Sequence, residues 1–419
     1  MIGWSYRPLG DLIESLDARR KPVKGSDRRP GPYPYYGASG VVDHVDDYLF
    51  EGLHLLVAED GENLRTRKLP IAFLARGRFW VNNHAHVVRG NAHADTRFLS
   101  YALMVADVSS YLSGSTMPKL TQGNLHKVPI YAPELGEQIA IADALASMDH
   151  KIDLNRRMNE VLGAMSQAIF RDWFVYFGPV RRKLAGETDP VAIMGGVTAD
   201  LVRAAELAAL FPAELDGVGL PQGWIESPLD QIAEFLNGLA LQKFPAVDGE
   251  PSLPVIKIAE LRNGLSEDSN RASPQLPEKY IVRDGDYIFS WSGSLMAKVW
   301  TEGDGALNQH LFKVSSSSYP QWFFAAWVEH HLPEFQRIAA SKATTMGHIQ
   351  RGHLASATTV CPPQPTLDVM ASVLAPLWER RIHNDLEIRT LAETRDYLLP
   401  RLMSGEVRVG GADTEEAAA

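Results

Sequence analysis

The chain has 419 residues, 45% of them apolar and 22% charged, with a formal net charge of −10. That length and balance predict a globular protein of two or three domains with sizeable cores, while the acidic excess argues against a free-standing nucleic-acid binder, which is usually basic. The single cysteine, Cys361, excludes an internal disulfide and a multi-cysteine zinc site and fits a cytoplasmic protein.

Residues 1–8 lack a basic segment followed by an apolar one, and no run of about 18 apolar residues occurs, so neither a signal peptide nor a membrane span is expected. Binding to DNA through local basic patches, with a partner supplying further positive surface, stays open.

Residues 1–136 carry mixed signals and are expected to form a globular domain, with strands at the apolar runs 53–58 and 71–75. Arg19, Arg20, Lys21 and Lys24 crowd a loop containing proline and glycine that could lay cations against phosphates, and Arg65 and Arg67 add to it. Tyr36 and Ser39 stand in a loop mixing aromatic bulk with close backbone approach. Asn82, Asn83 and His84 offer side chains able to read base edges. Lys119 and Gln122 follow as a phosphate anchor and a base reader. For each of these residues the competing reading is a solvated loop or a turn held internally. His84 and His86 at i, i+2 invite a metal, but the second half of the chain has Phe312 where a counterpart of His86 would stand.

From residue 137 to 174 no proline intervenes, and Leu145, Met148, Ile152, Asn155, Asn159, Leu162, Ser166, Ile169 and Trp173 alternate at spacings of three and four. This is a coiled-coil seam on a helix roughly 57 Å long at 1.5 Å per residue. The central helix is placed at 137–177. Residues 178–219, rich in Gly, Ala and Pro, read as a connector with one short helical piece at 199–210.

The chain then repeats itself. Trp4 with Pro8-Leu9 matches Trp224 with Pro228-Leu229, Asn82-Asn83-His84 matches Asn308-Gln309-His310, and Leu120, Gly123 and Leu125 match Ile349, Gly352 and Leu354, at offsets drifting from 220 to 229. Residues 220–364 therefore read as a second globular domain. Its candidate DNA contacts are Lys243, Ser290, Trp291, Ser292, Ser294, Asn308, Gln309, His310, His348, Gln350 and Arg351.

At the offset of 229 a second seam runs through Leu374, Leu377, Arg381, Asn384, Ile388, Leu391, Arg395, Leu398 and Leu402, giving a helix at 365–404 with kinks or stops expected at Pro376 and Pro400. Asn155 and Asn384 share one seam position, and a buried pair of amides there would fix the register of an antiparallel pairing. The alternative is that both are exposed. Residues 405–419 have the composition of a disordered tail. The fold class expected is α+β: two similar mixed domains separated by two long antiparallel helices, with a pseudo-two-fold internal repeat.

The chain has no phosphate-loop motif, no Gly-x-Gly-x-x-Gly after a strand, no Asn/Asp-Pro-Pro-Tyr/Phe stretch and no convincing nuclease carboxylate cluster. No catalytic centre is expected in it. Gly136-Glu137-Gln138-Ile139-Ala140, with Lys151-Ile152-Asp153-Leu154-Asn155 and Phe170-Arg171-Asp172-Trp173-Phe174, resembles the central spacer of type I restriction–modification specificity subunits. Leu398-Leu399-Pro400-Arg401-Leu402 through Val407 resembles their C-terminal ending, and Tyr36-Gly37-Ala38-Ser39-Gly40, Ala58-Glu59-Asp60-Gly61 and Leu307-Asn308-Gln309-His310 resemble their target-recognition motifs. Gln364-Pro365-Thr366 departs from the family's usual Pro-Glu-Gln, which leaves the start of the second helix less defined.

The resemblance implies two recognition domains, each reading half of a split double-stranded DNA target, with helices that set the gap and dock two methyltransferase subunits. Restriction subunits join the full complex. S-adenosylmethionine, ATP and Mg²⁺ belong to those partners, and no cofactor is expected in this chain. A duplicated coiled-coil adaptor without DNA readout and a divergent stand-alone DNA-modifying enzyme are the alternatives.

Overall fold

In the computed structural model, which describes residues 3–341 and 347–409, the chain divides inside its long helices rather than at their ends. Unit 1 comprises Met1–Ile152 with Leu391–Ala419, and unit 2 comprises Asp153–Thr390.

Unit 1 holds ten strands: β1 (Ser5–Pro8), β2 (Ile13–Ser15), β3 (Tyr33–Gly37), β4 (Gly40–Val45), β5 (Phe50–Glu51), β6 (His54–Ala58), β7 (Ala72–Ala75), β8 (Arg78–Val81), β9 (Ala85–Gly90) and β10 (Pro129–Ala132). They form a two-stranded sheet β1-β10 and two four-stranded sheets, β2-β9-β6-β7 and β4-β3-β8-β5. Unit 2 holds ten more: β11 (Ile225–Pro228), β12 (Glu234–Asn237), β13 (Leu253–Ile256), β14 (Arg271–Ala272), β15 (Ile281–Val282), β16 (Tyr287–Ser290), β17 (Met296–Val299), β18 (Gly305–Leu307), β19 (Leu311–Ser315) and β20 (Thr358–Cys361). Their sheets are β11-β20, β12-β19-β16-β17 and β14-β13-β18-β15, which is the order of unit 1 with ten added to every label. A parallel pairing of strands also corresponds, β3 with β8 and β13 with β18. The internal repeat is therefore a repeat of topology.

The central strands show why the pattern holds. Side chains alternate across a strand, so a strand covered on both faces is apolar throughout. In β6, Leu55 and Val57 enter one core and Leu56 another. In β16, Tyr287 and Phe289 enter one core and Ile288 another.

The first long helix spans Leu135–Phe170 and continues into a wider π-type turn, Arg171–Val175. The second spans Gln364–Met403. Of the kinks or stops expected at the two prolines, neither is a stop: Pro376 and Pro400 both lie within it. Apolar packing around each, from Met370, Leu374 and Trp378 in one unit and Leu399 and Leu402 in the other, outweighs a helix-interior penalty of roughly 3 kcal/mol.

The helices run antiparallel within each unit. In unit 2, Asn155 donates from Nδ2 to Glu387 Oε2 at 2.7 Å, and Asn159 donates to Asp385 Oδ1 at 2.8 Å. In unit 1, Arg395 donates to Asp149 Oδ1 at 2.7 Å. Asn155 and Asn384 are both fully buried, which removes the exposed alternative. They do not hydrogen-bond to each other as expected. Asn384 Nδ2 donates to Asn159 Oδ1 at 2.8 Å, because the stagger of the antiparallel helices sets each amide against the residue one turn along the other seam.

Residues 178–219 differ from a simple connector. They form three helices, Gly178–Leu184, Pro190–Ile193 and Leu201–Ala209, the last two capped by the side chains of Asp189 and Asp200. Val180, Met194, Leu207 and Phe211 are buried in the core of unit 2. Of the expected tail, residues 410–419 lie outside the described residues. Val407 folds back, its N–H donating to Arg401 O at 3.2 Å.

Candidate nucleic-acid interface

One corner of each unit gathers the polar side chains singled out from the sequence. In unit 1 the end of β6, the turn before β9 and the strand-like stretch at Lys119 meet. Backbone hydrogen bonds fix them: Glu59 N to His84 O at 2.9 Å, Leu120 N to Glu59 O at 2.8 Å and Gly61 N to Pro118 O at 3.1 Å, with an antiparallel bridge between Asp60 and Lys119. Unit 2 repeats every one of these. Trp291 N donates to His310 O at 3.4 Å, Ile349 N to Trp291 O at 3.0 Å and Gly293 N to Gly347 O at 2.7 Å, and Ser292 bridges His348.

Asn82 and Asn308 do the same work in the two units. Each is buried, and each Oδ1 accepts the backbone N–H of the histidine two residues on, His84 at 2.8 Å and His310 at 3.3 Å. Through these Oδ1 atoms both asparagines hold the turn. Asn83 is exposed and Gln309 half-buried beside them.

On this shared scaffold the chemistry differs. In unit 1, His84 Nδ1 lies 2.9 Å from Asp60 Oδ2, Lys119 Nζ lies 3.2 Å from Glu59 Oε1, and Arg20 Nη1 donates to Glu59 Oε2 at 2.6 Å. Burial pushes the Glu59 carboxyl up, but the hydrogen bond from Arg20, the charge of His86 and the hydrogen bond from Lys119 together hold it below its ordinary value. In unit 2 the corner is aromatic and uncharged at the same places. The Trp291 ring lies 5.9 Å from His310 and 6.4 Å from His348, and its Nε1 donates to Asn237 Oδ1 at 2.9 Å. Ser292 Oγ lies 3.0 Å from His310 Nδ1, and Gln309 Nε2 lies 3.4 Å from His310 Nε2. Arg351 stands over the Phe312 ring at 5.7 Å and donates to Phe235 O at 3.3 Å.

Other expected contacts are committed to the fold. Arg67 turns inward and donates to the carbonyls of Leu103, Met104 and Ala106, satisfying the end of the helix Thr96–Val105; burial lowers its pKa. Arg20, besides Glu59, donates to Ala85 O at 2.8 Å, so it is an internal tie rather than a phosphate contact. Ser290 is fully buried and donates to the carbonyls of Ser292 or Ser294. Tyr36 is half-buried, edge-on to Phe79 at 5.6 Å, and burial raises its pKa.

The remainder stay at the surface. Lys21, Lys24, Ser39, Lys243 and Ser294 are exposed. Arg19 donates to Leu49 O at 2.8 Å, Arg65 pairs with Glu62 at 3.1 Å, and Gln122 donates to Ser15 Oγ at 2.8 Å. Gln350 is exposed ahead of the helix Arg351–Ser356. Reasoning from sequence did not assign site roles to Glu59, Asp60 or Asn237. The resemblance of Ala58-Glu59-Asp60-Gly61 to a target-recognition motif could have pointed to the first two; nothing marked Asn237.

The profile of the family described as the type I restriction modification DNA specificity domain matches residues 1–164. A putative type I restriction enzyme specificity subunit of Haemophilus influenzae is 38% identical over 147 residues, covering 34% of this chain and 37% of that protein. The MjaIX specificity subunit of Methanocaldococcus jannaschii is 23% identical over 433 aligned residues, covering 97% of this chain and 94% of the relative. The crystal structure of the S subunit from M. genitalium matches with a TM-score of 0.60 at 14% identity, covering 96% of each chain, which supports the fold. The chain is thus similar, along nearly its whole length, to type I restriction–modification specificity subunits.

Its family motifs acquire physical meaning from the structure. Gln138 of the Gly136-Glu137-Gln138 run is fully buried; it accepts from Asp95 N and donates to His93 O and Pro133 O, latching the start of the first long helix onto unit 1. His84 and His86 do not converge. His84 faces Asp60, while His86, buried, sets Nδ1 2.5 Å from Asp17 and Nε2 2.7 Å from Leu120 O. Among the described residues no group of three His, Cys, Asp or Glu is placed to hold a metal ion, and no helix is long and apolar enough to cross a membrane.

Proposed function

We propose that this chain is the DNA-reading subunit of a cytoplasmic type I restriction–modification complex and has no catalytic centre of its own. Each unit reads one half of a split target in double-stranded DNA, and the paired helices set the gap and dock two methyltransferase subunits. Restriction subunits complete the assembly, and S-adenosylmethionine, ATP and Mg²⁺ are bound by the partners. The observation that carries this reading is the repeated scaffold: two units with the same sheet order and the same backbone bonds around a histidine present different side chains. Two heads that bind one kind of polymer but read different sequences need that combination, since phosphate contacts position a protein and base-edge contacts specify the sequence.

Exposed cations such as Lys21 and Lys24 supply local phosphate contacts, and the net charge of −10 requires positive surface from the partners. The test is to reconstitute the chain with methyltransferase subunits and map methylated adenines on random-sequence DNA. A split motif is expected, and replacing residues 220–364 by those of a relative is expected to change one half of it only. Methylation without a motif, or a motif unaffected by that exchange, overturns the reading.

A further inference from the structure

What stays constant between the two corners, and what is exchanged, separates scaffold from reader. The constant parts are the histidine, the buried asparagine that holds its turn, and the backbone bonds around them. The buried apolar neighbour changes little, Leu120 to Ile349. Four other equivalent places change in charge, size or shape: Glu59 to Trp291, Asp60 to Ser292, Asn83 to Gln309 and Lys119 to His348. Side chains that only kept the scaffold together would meet the same geometric demand in both units.

We infer that these four positions determine which bases each unit prefers, and that the set in unit 1 is built for guanine. The inference rests on the DNA-reading function proposed above. The Lys119 and His84 side chains are 48% and 51% exposed, while Glu59 and Asp60 beneath them are 13% and 21% exposed and turned towards Arg20, Lys119 and His84. The corner thus offers an ammonium group outward over recessed carboxylates that orient it. In the major groove guanine alone presents two neighbouring acceptors, N7 and O6, and lysine is one of the two side chains that pair with them. Unit 2 offers no ammonium at that place. The groups at the equivalent places are the half-buried His348 ring and Gln309 amide, and a glutamine amide matches the donor–acceptor pair of adenine.

The experiment uses the reconstituted complex with its methyltransferase subunits and reads the methylation motif by sequencing. Lys119→His in unit 1 and His348→Lys in unit 2 are compared with Lys119→Arg, which keeps the donors. Lys119→His is expected to lower discrimination at one guanine of one half-site by roughly tenfold or more, His348→Lys to alter a base in the other half-site, and Lys119→Arg to retain the original motif. Circular dichroism matching the unsubstituted chain shows that a changed motif is not a folding defect. An unchanged motif for folded Lys119→His, or both exchanges altering the same half-site, overturns the inference while leaving the DNA-reading function standing. An unsubstituted complex that methylates with no motif overturns both.

Discussion

Phe170, Trp173 and Phe174 close the core of unit 2, and Leu399, Leu402 and Met403, at the same offset of 229, close the core of unit 1. Each long helix starts in one unit and ends as a plug in the other. The plugs differ because their sockets differ. In unit 2 the segment 178–219 brings Phe211 to 5.6 Å from Trp173, and Trp224 and Phe323 lie 5.8 and 5.3 Å from Phe174. Among the described residues of unit 1 no helices correspond to Gly178–Leu184, Pro190–Ile193 and Leu201–Ala209. Its equivalent of Trp224, Trp4, lies 5.0 Å from Tyr131 and donates from Nε1 to Glu137 at 3.2 Å. A wider socket takes rings and a narrower one takes aliphatic chains, so one topology tolerates two packings provided that volume is matched.

The largest effect is expected from Trp173→Ala, which removes a fully buried ring and should cost unit 2 about 3–5 kcal/mol. Hydrogen exchange resolved by peptide should show protection lost across 153–390 and kept in 1–152. Leu402→Ala should cost unit 1 about 2–5 kcal/mol with the opposite distribution. Equal loss in both units for either variant would break the plug-and-socket comparison. Asn384→Leu strips Asn159 of a buried partner and should cost about 1–3 kcal/mol in unit 2 only.

The smallest effect is a difference in acid response. Burial raises the Asp17 carboxyl in unit 1, but the hydrogen bond and charge of His86, the Val87 N–H and Arg20 outweigh it, and its folded pKa is lowered. Its contribution is present above the unfolded carboxylate value and is lost as pH falls through the lower folded value. Burial raises Asp385 in unit 2, so its contribution is present below the unfolded value and lost as pH rises through the folded one. Acidification from pH 5 to pH 3 should therefore weaken exchange protection around Asp17 sooner than around Asp385, and the reverse order would contradict these assignments.

Periodicity made the long helices legible, and collinear matches made the repeat legible, because both follow from which residues must face a core. The strands β6 and β7 were readable for the same reason. The segment 178–219 was not: its Gly, Ala and Pro composition masks that Val180, Met194 and Phe211 are separated in sequence yet meet in one core. At the candidate interface the composition of the corners was readable, but the direction of each side chain was not. Arg67 reads as a surface cation until its guanidinium is seen among three helix-end carbonyls, and nothing in the sequence sets the Oδ1 of Asn82 on the His84 N–H. Pro376 and Pro400 do not stop the helix placed at 365–404, because local propensity is weighed against tertiary packing that a single helix pattern does not display.

The exchange of helix ends also has a consequence for biosynthesis. Unit 2 is one uninterrupted stretch of chain, whereas unit 1 is completed by residues from 391 onward. During synthesis the portion of unit 1 made first waits: Trp4, Leu9 and Phe98 have their neighbours from residues 3–152, but not Leu399, Leu402 or Met403, until roughly 250 further residues have been added. Unit 2 can close earlier, so the order of folding is the reverse of the order of translation, and a truncated nascent chain exposes the core of its first-made half.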